Sequence, residues 1–392
     1  MEGKMSNKTK MLFIMNALNF GGAEKALVNL FDTMNYDVYE IDLLLLSDEG
    51  KLLNIVNNKV NIIHPDLITR NLYGEHCNFI FKFLKIIFTG SQYLITRNRS
   101  YVNQLRWKKF YKKIIPQLQT KYDVAVSFLQ GDPLYYLVDK VFAKKKIAWV
   151  HNDYRMTKCN SIFDLKYFEQ VNQVVTISNI CLDILKEIFP SVPSMFLPNI
   201  VNSTSINSYA EGQPNEYVGV KSKKLLTIGR LNPQKGYDFL LEIAAYLKEI
   251  KYDFKWYIIG EGELKEQLLA DWREKRLEDC VYFLGTRENP YPYIKHANVV
   301  VQTSRYEGKS IVLDEAKILN KLIVCTNYDT VKDQLIDGKE GIISSFEVKE
   351  FAESIIELLA DDNKMNEIVN YLSSHEYGNE HVIKLYDQLF QV

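Results

Sequence analysis

Two successive runs of one pattern, strand-length apolar stretches alternating with amphipathic ones, restrict the fold of this 392-residue chain more than any other feature. In the first run the apolar stretches stand at 10–16, 38–46, 60–64, 122–129, 146–150 and 173–177. A strand that is apolar on both faces is covered on both, as in a parallel sheet packed between helices. The first helix is expected over 23–34, after a Gly21–Gly22 turn. Residues 202–222 are rich in Asn, Ser, Gly and Pro without periodicity, which predicts a linker over 201–222. The alternation then restarts. Strands are expected at 224–228, 255–259, 281–284, 299–302 and 322–325, with helices at 237–249, 263–275, 291–295 and 311–320. The fold class is therefore α/β: two Rossmann-like doubly wound domains, residues 1–200 and 223–375, facing each other across a cleft. Within 376–392 an amphipathic C-terminal helix could pack back on either domain, with the first taken as its seat.

Composition narrows the class. Hydrophobic residues make up 47% and charged residues 25%, as in soluble globular proteins. No apolar stretch is long enough to span a bilayer, and 11–15 is too short for the core of a signal peptide. The first nine residues read as a flexible lead-in. Five scattered cysteines with no C-x-x-C pair argue for reduced thiols and a cytoplasmic location, and against disulfides or structural zinc.

Charge is uneven. Residues 1–200 hold 25 Lys and Arg against 18 Asp and Glu, whereas 201–392 hold 23 against 31. The basic excess comes from 76–122, where ten Lys or Arg and several aromatics occur without one acidic residue. One reading is a basic, aromatic insertion that rests on an anionic membrane surface or an anionic acceptor. The other is a helical insertion whose aromatics are core and whose lysines form a solvated face. Nucleic acid is disfavoured by the acidic second half and by the lack of a binding module.

The second half holds the chemistry. In L-L-T-I-G-R-L-N-P-Q-K-G (225–236), a strand ends at Gly229, and Arg230 and Lys235 follow in the loop. Ligands of open α/β sheets bind at the carboxyl ends of strands, and an Arg fork beside a Lys point charge suits a diphosphate. In S-R-Y-E-G-K-S-I-V-L-D-E-A (304–316), Glu307 and Gly308 precede a helix that starts near Ser310 and Ile311. The free amides of that helix start can hold phosphate oxygens, and Glu315 suits a ribose diol. Taken singly, each of these residues could be a solvated turn or capping group. No D-x-D, H-x-x-x-H or Cys/His cluster is present, so no metal site and no cofactor is expected.

These segments together resemble the GT4 family of retaining glycosyltransferases, which have the GT-B fold. Glu307 and Glu315 match its E-x7-E signature, Gly229–Gly236 its G-R-L-x-x-x-K-G element, and Gly21–Glu24 its G-G-A-E. Further family-like segments lie at 259–262, which includes Gly260, at 285–293, which includes Arg287, and at 176–179 and 198–199. The resemblance implies a nucleotide-sugar donor, with UDP-sugar expected, bound by Gly21, Gly22, Gly229, Arg230, Lys235, Gly260, Arg287, Gly308, Lys309, Ser310, Ile311 and Glu315. Arg230 and Lys235 would stabilise the leaving diphosphate. Glu307 would meet the donor sugar or a developing charge, and His151, after a first-domain strand, would stand near the reacting sugar. The acceptor implied is a lipid-linked or phosphate-bearing cell-surface glycan, reached from the inner face of the membrane. Lys309 departs from the family, which commonly has an apolar or small residue there, and it leaves the donor sugar open. A non-catalytic partner subunit would be marked by degenerate donor residues. Arg230, Lys235, Glu307 and Glu315 are all present.

Overall fold

The apolar stretches fold as parallel strands in two separate sheets. The computed structural model describes residues 8–19, 21–74, 86–87, 89–93 and 96–392. The chain divides into two units: Met1–Asn19, Ala23–Asn199 and His381–Val392 form one, Phe20–Gly22 and Ile200–Glu380 the other.

The first unit holds β1 (Thr9–Met15), β2 (Tyr39–Leu45), β3 (Asn61–Ile63), β4 (Lys121–Ser127), β5 (Phe142–Val150), β6 (Gln173–Thr176) and β7 (Ser194–Phe196). Their order is β3-β2-β1-β4-β5-β6-β7, with every pair parallel. Helices α1 (Gly22–Thr33), α2 (Arg99–Arg106), α3 (Asp132–Lys140), α4 (Ser161–Phe168) and α5 (Asn179–Ile188) occur between the strands. The central strands are buried along most of their length, as expected of strands apolar on both faces.

In the second unit stand α6 (Ser203–Tyr209), β8 (Lys223–Ile228), α7 (Tyr237–Glu249), β9 (Phe254–Ile259), α8 (Lys265–Glu274), β10 (Val281–Gly285), α9 (Tyr291–His296), β11 (Val299–Gln302), α10 (Ile311–Ile318), β12 (Leu322–Thr326), β13 (Ile342–Ser344), α11 (Val348–Ala360) and α12 (Asp362–Ser373). The sheet order is β10-β9-β8-β11-β12-β13, again all parallel. Counted within the unit this is 3-2-1-4-5-6, the doubly wound order. Its switch point lies between the carboxyl ends of β8 and β11.

Helix α13 (Ile383–Phe390) belongs to the first unit. Tyr386, Leu389 and Phe390 are buried on one face. Tyr386 stacks on Trp149 and donates to the Pro198 carbonyl at 3.0 Å, and Phe390 meets Phe13 edge-on. The C-terminal helix is thus seated on the first domain, where each buried side chain contributes about 1.5–3 kcal/mol.

The stretch 201–222 is not a linker. Asn202 caps α6 by accepting from the Ser205 amide, and Ile206, Ala210 and Tyr217 are buried in the core of the second unit. Its Asn and Ser are caps and turns rather than signs of disorder, and Ile206 and Ala210 lie one helical turn apart. Strands β7 and β13 were not anticipated; each pairs with its neighbour over only three residues. Of the basic segment, 76–85, 88 and 94–95 lie outside the described residues, as do 1–7 of the lead-in. In its described part, Trp107 and Tyr111 are fully buried while Lys108, Lys109 and Lys113 are exposed. Trp107 and Tyr111 are thus core aromatics beneath an exposed basic face, while Tyr93 is 48% exposed.

Candidate functional site

Two loops meet at the switch point of the second sheet. One leaves β8 through Gly229 and carries Arg230 and Lys235; the other leaves β11 and carries Glu307 and Gly308. The first ends in a short turn (Pro233–Lys235) capped by Asn232, which accepts from the Lys235 amide at 3.2 Å. Gly236 follows with φ +64, and a Cβ there would lie 2.2 Å from the Thr303 carbonyl oxygen, so only glycine lets the two loops touch. Gly260, beyond β9, sits against Gly229 so closely that a Cβ would lie 1.8 Å from its carbonyl oxygen. Arg305 ties the second loop to the start of α7 by a two-pronged bond to Asp238, at 2.8 and 2.6 Å. That fork holds the Asp238 carboxyl below its ordinary range.

Within this frame Lys235 and Glu307 come together. Lys235 Nζ lies 2.6 Å from Glu307 Oε1, with the lysine side chain 18% exposed and the glutamate 7%. Ser304 Oγ donates to the same Oε1 at 2.6 Å, and Gln234 Nε2 donates to Oε2 at 3.1 Å. Three donors therefore fix the Glu307 carboxylate. Arg230 is exposed at the carboxyl end of β8. Glu315 is buried on α10 and accepts from the Tyr291 hydroxyl at 3.2 Å. Burial, and then the Glu315 charge, push the Tyr291 hydroxyl far up, so it stays a donor.

The helix start is wired differently from the expectation. Ser310 is the N-cap of α10 but makes no side-chain cap. Its hydroxyl donates to Gln302 Oε1 at 2.6 Å and its amide to Gln334 Oε1 at 2.9 Å. Ser310's hydroxyl and amide are thus both committed within the protein. Ile311 is buried and can offer only its backbone amide. Lys309 pairs with Asp314 of the helix that it precedes, at 3.3 Å. Arg287 is drawn into a separate cluster: it donates to Tyr293 Oη at 3.0 Å and to Glu216 Oε1 at 2.8 Å. Burial pushes the Glu216 carboxyl up, but the Arg287 bond and its other donors outweigh this and hold it low. Arg287 thus supports the 214–217 turn. Ser304, Gln234, Gln302 and Gln334 were missed. Gln234 adjoins Lys235 and Ser304 stands three residues before Glu307, but nothing in the sequence marks Gln334, 24 residues past Ser310.

Gly22 opens α1, and a Cβ there would meet nothing within 4 Å. His151 follows β5 and is buried, 4.8 Å from the Phe128 ring centroid. Neither ring nitrogen makes a well-formed hydrogen bond. Burial pushes its pKa down to about 3, with a weak opposing pull from the Phe128 backbone, so the imidazole is neutral at pH 7. Among the described residues, no three His, Cys, Asp or Glu side chains gather as metal ligands, and no helix is long and apolar enough to cross a membrane.

Each unit thus holds a doubly wound parallel sheet, and a Lys–Glu pair stands at the switch point of the second. Residues 213–375 match the family model described as Glycosyl transferases group 1. The chain is 25% identical over 370 residues to the N-acetylgalactosamine-N,N'-diacetylbacillosaminyl-diphospho-undecaprenol 4-alpha-N-acetylgalactosaminyltransferase of Campylobacter jejuni, covering 91% of each. Among solved structures it resembles Staphylococcus aureus TarM in complex with fondaparinux, alpha-GlcNAc-glycerol and UDP, with a TM-score of 0.71 at 15% identity, covering 98% of this chain and 100% of that one. Anabaena HepE in complex with UDP and glucose gives 0.70 at 15% identity, with the same coverage. The chain is a glycosyltransferase with the GT-B fold, and its second unit is a group 1 glycosyl transferase domain.

Proposed function

We propose that this enzyme is a retaining, metal-independent transferase. It would move a hexosyl or N-acetylhexosaminyl unit from a UDP-sugar to a lipid-linked or phosphate-bearing cell-surface glycan, working at the inner face of the membrane. One observation carries the donor half of this reading: the Lys235–Glu307 pair, held at 2.6 Å beside a helix start at the switch point. As the bond from the anomeric carbon to the diphosphate breaks, negative charge grows on the departing oxygens. Lys235 and Arg230 neutralise it from fixed positions, which is the most effective form of electrostatic catalysis. The amides that open α10 add partial positive charge to the same end. Glu315 takes the ribose hydroxyls, and Glu307 presents Lys235 and meets the sugar. In the first unit His151 awaits a ligand hydroxyl, since a buried imidazole without hydrogen bonds is costly to keep.

The acceptor half rests on the relatives. The Campylobacter enzyme is named for a diphospho-undecaprenol acceptor and an alpha linkage. A Staphylococcus aureus relative, 29% identical over 137 residues, is named a poly(ribitol-phosphate) alpha-N-acetylglucosaminyltransferase. The exposed Lys108, Lys109 and Lys113 suit an anionic acceptor or membrane surface. The test supplies a panel of nucleotide-sugars with lipid extracted from bacterial membranes, and follows the product's anomeric proton by NMR. Transfer from a UDP-sugar with an alpha anomer retained is expected. Acceptor-independent turnover alone, or an inverted anomer, would overturn the proposal.

A further inference from the structure

We infer that Gln302 and Gln334 are positioning residues that keep the start of α10 open as an oxyanion seat by removing Ser310 from its ordinary capping role; the inference rests on the donor-site reading above. A serine at this position normally turns its hydroxyl onto the helix's own second or third amide, and so closes the end of the helix. Here it does not cap. Gln302, at the end of β11, takes the hydroxyl at 2.6 Å, and its own amide is held by donating to the Tyr328 hydroxyl at 3.1 Å. Gln334 grips the peptide on both sides: Oε1 accepts the Ser310 amide, and Nε2 donates to the Ser310 carbonyl and, at 3.0 Å, to Asp314 Oδ1.

These partners allow one orientation of the Gln334 amide, because a carboxylate and a carbonyl can only accept. Gln334 is itself pinned, since buried Lys317 donates to its backbone carbonyl at 2.7 Å. Gln302, Gln334, Ser310, Asp314 and Lys317 are each less than a tenth exposed, so the arrangement is shielded from water and costly to rearrange. Its product is a helix whose first turn keeps its amides available. Those amides stand on a cap residue that cannot rotate to meet them, as preorganised stabilisation of a diphosphate requires.

The test is calorimetric titration of UDP into the full chain and three variants, each checked for its fold by circular dichroism. Gln302→Met frees the Ser310 hydroxyl to cap the helix, and UDP binding is expected to weaken by about tenfold, the scale of one hydrogen bond to a charged group. Adding Ser310→Ala to Gln302→Met removes the hydroxyl that blocks the amides, and affinity is expected to return. A merely structural role would not be rescued by a second deletion. In Gln334→Glu the introduced carboxyl faces Asp314. UDP binding is expected to be more than about tenfold weaker than wild type at pH 8, and that ratio narrows at pH 5.5 as the introduced group takes a proton and can donate again. Wild-type binding of UDP that is unchanged in folded Gln302→Met or Gln334→Glu, or a double variant no better than Gln302→Met, would overturn the inference alone. A wild type that binds no nucleoside diphosphate would overturn the donor-site reading and this inference with it.

Discussion

Lys235→Met is expected to cut turnover by about a hundred- to a thousandfold, the usual cost of removing one preorganised group from a developing oxyanion, while the fold stays in place. Methionine keeps the stem, which runs past Gly229 so closely that a Cβ there would lie 3.1 Å from Lys235 Cε. What it loses is the ammonium. Glu307 then retains Ser304 and Gln234 as donors, so its carboxylate is not stranded. Steady-state kinetics with the donor saturating would show the loss in kcat, because the charge that Lys235 meets is largest in the transition state. Combining Lys235→Met with Glu307→Gln tells how the pair is organised. If Glu307 acts chiefly by presenting Lys235, the double variant is no slower than the worse single one. Multiplicative losses would mean that Glu307 acts on the sugar independently.

His151→Phe is expected to separate stability from activity. Both imidazole nitrogens are buried without well-formed hydrogen bonds, and an unmet buried polar group costs about 1–3 kcal/mol. Phenylalanine fits the apolar wall that Phe128 and Trp149 already provide. The variant should therefore melt at or above the wild-type temperature, while transfer falls by about a hundredfold or more, within the range of a lost acid–base or orienting group. The acid limb offers a second readout. The imidazole titrates near 6.5 in the unfolded chain and at about 3 in the folded protein. Between these values the unfolded state holds a proton that the folded state lacks. Stability through this group is thus complete above pH 6.5 and falls as the pH drops towards 3, by about 1.4 kcal/mol per unit. His151→Phe should lack that slope. A variant that is both destabilised and fully active would show that the imidazole is an ordinary core residue.

The two sheets were legible because their strands are apolar on both faces, and that pattern survives without knowledge of any contact. That Arg230, Lys235 and Glu307 fall in the loops after β8 and β11 was legible because the apolar runs of those strands end just before them. Other features were hidden for different reasons. The 201–222 stretch was misread because helix caps and disordered linkers draw on the same residues, Asn and Ser, and only the spacing of Ile206 and Ala210 tells them apart. Arg287 stood in a family-like segment, yet its partners Glu216 and Tyr293 claim it. Glu216 is 71 residues away in the chain, and no local pattern announces such a pair. Gln334 was silent for the same reason: it serves Ser310 from a turn 24 residues on. Lys309 was singled out as a departure from the family, and its observed partner, Asp314 at 3.3 Å, lies in the first turn of the helix it precedes.

Calorimetric titration of a panel of UDP-sugars into the full chain and into Lys235→Met bears most directly on the switch-point site of the second unit as the donor site. Saturable binding of at least one UDP-sugar to the wild-type chain, weakened about tenfold or more by the substitution, is the predicted result. A chain that binds no nucleotide-sugar, or one that binds it equally well without the Lys235 ammonium, would contradict it.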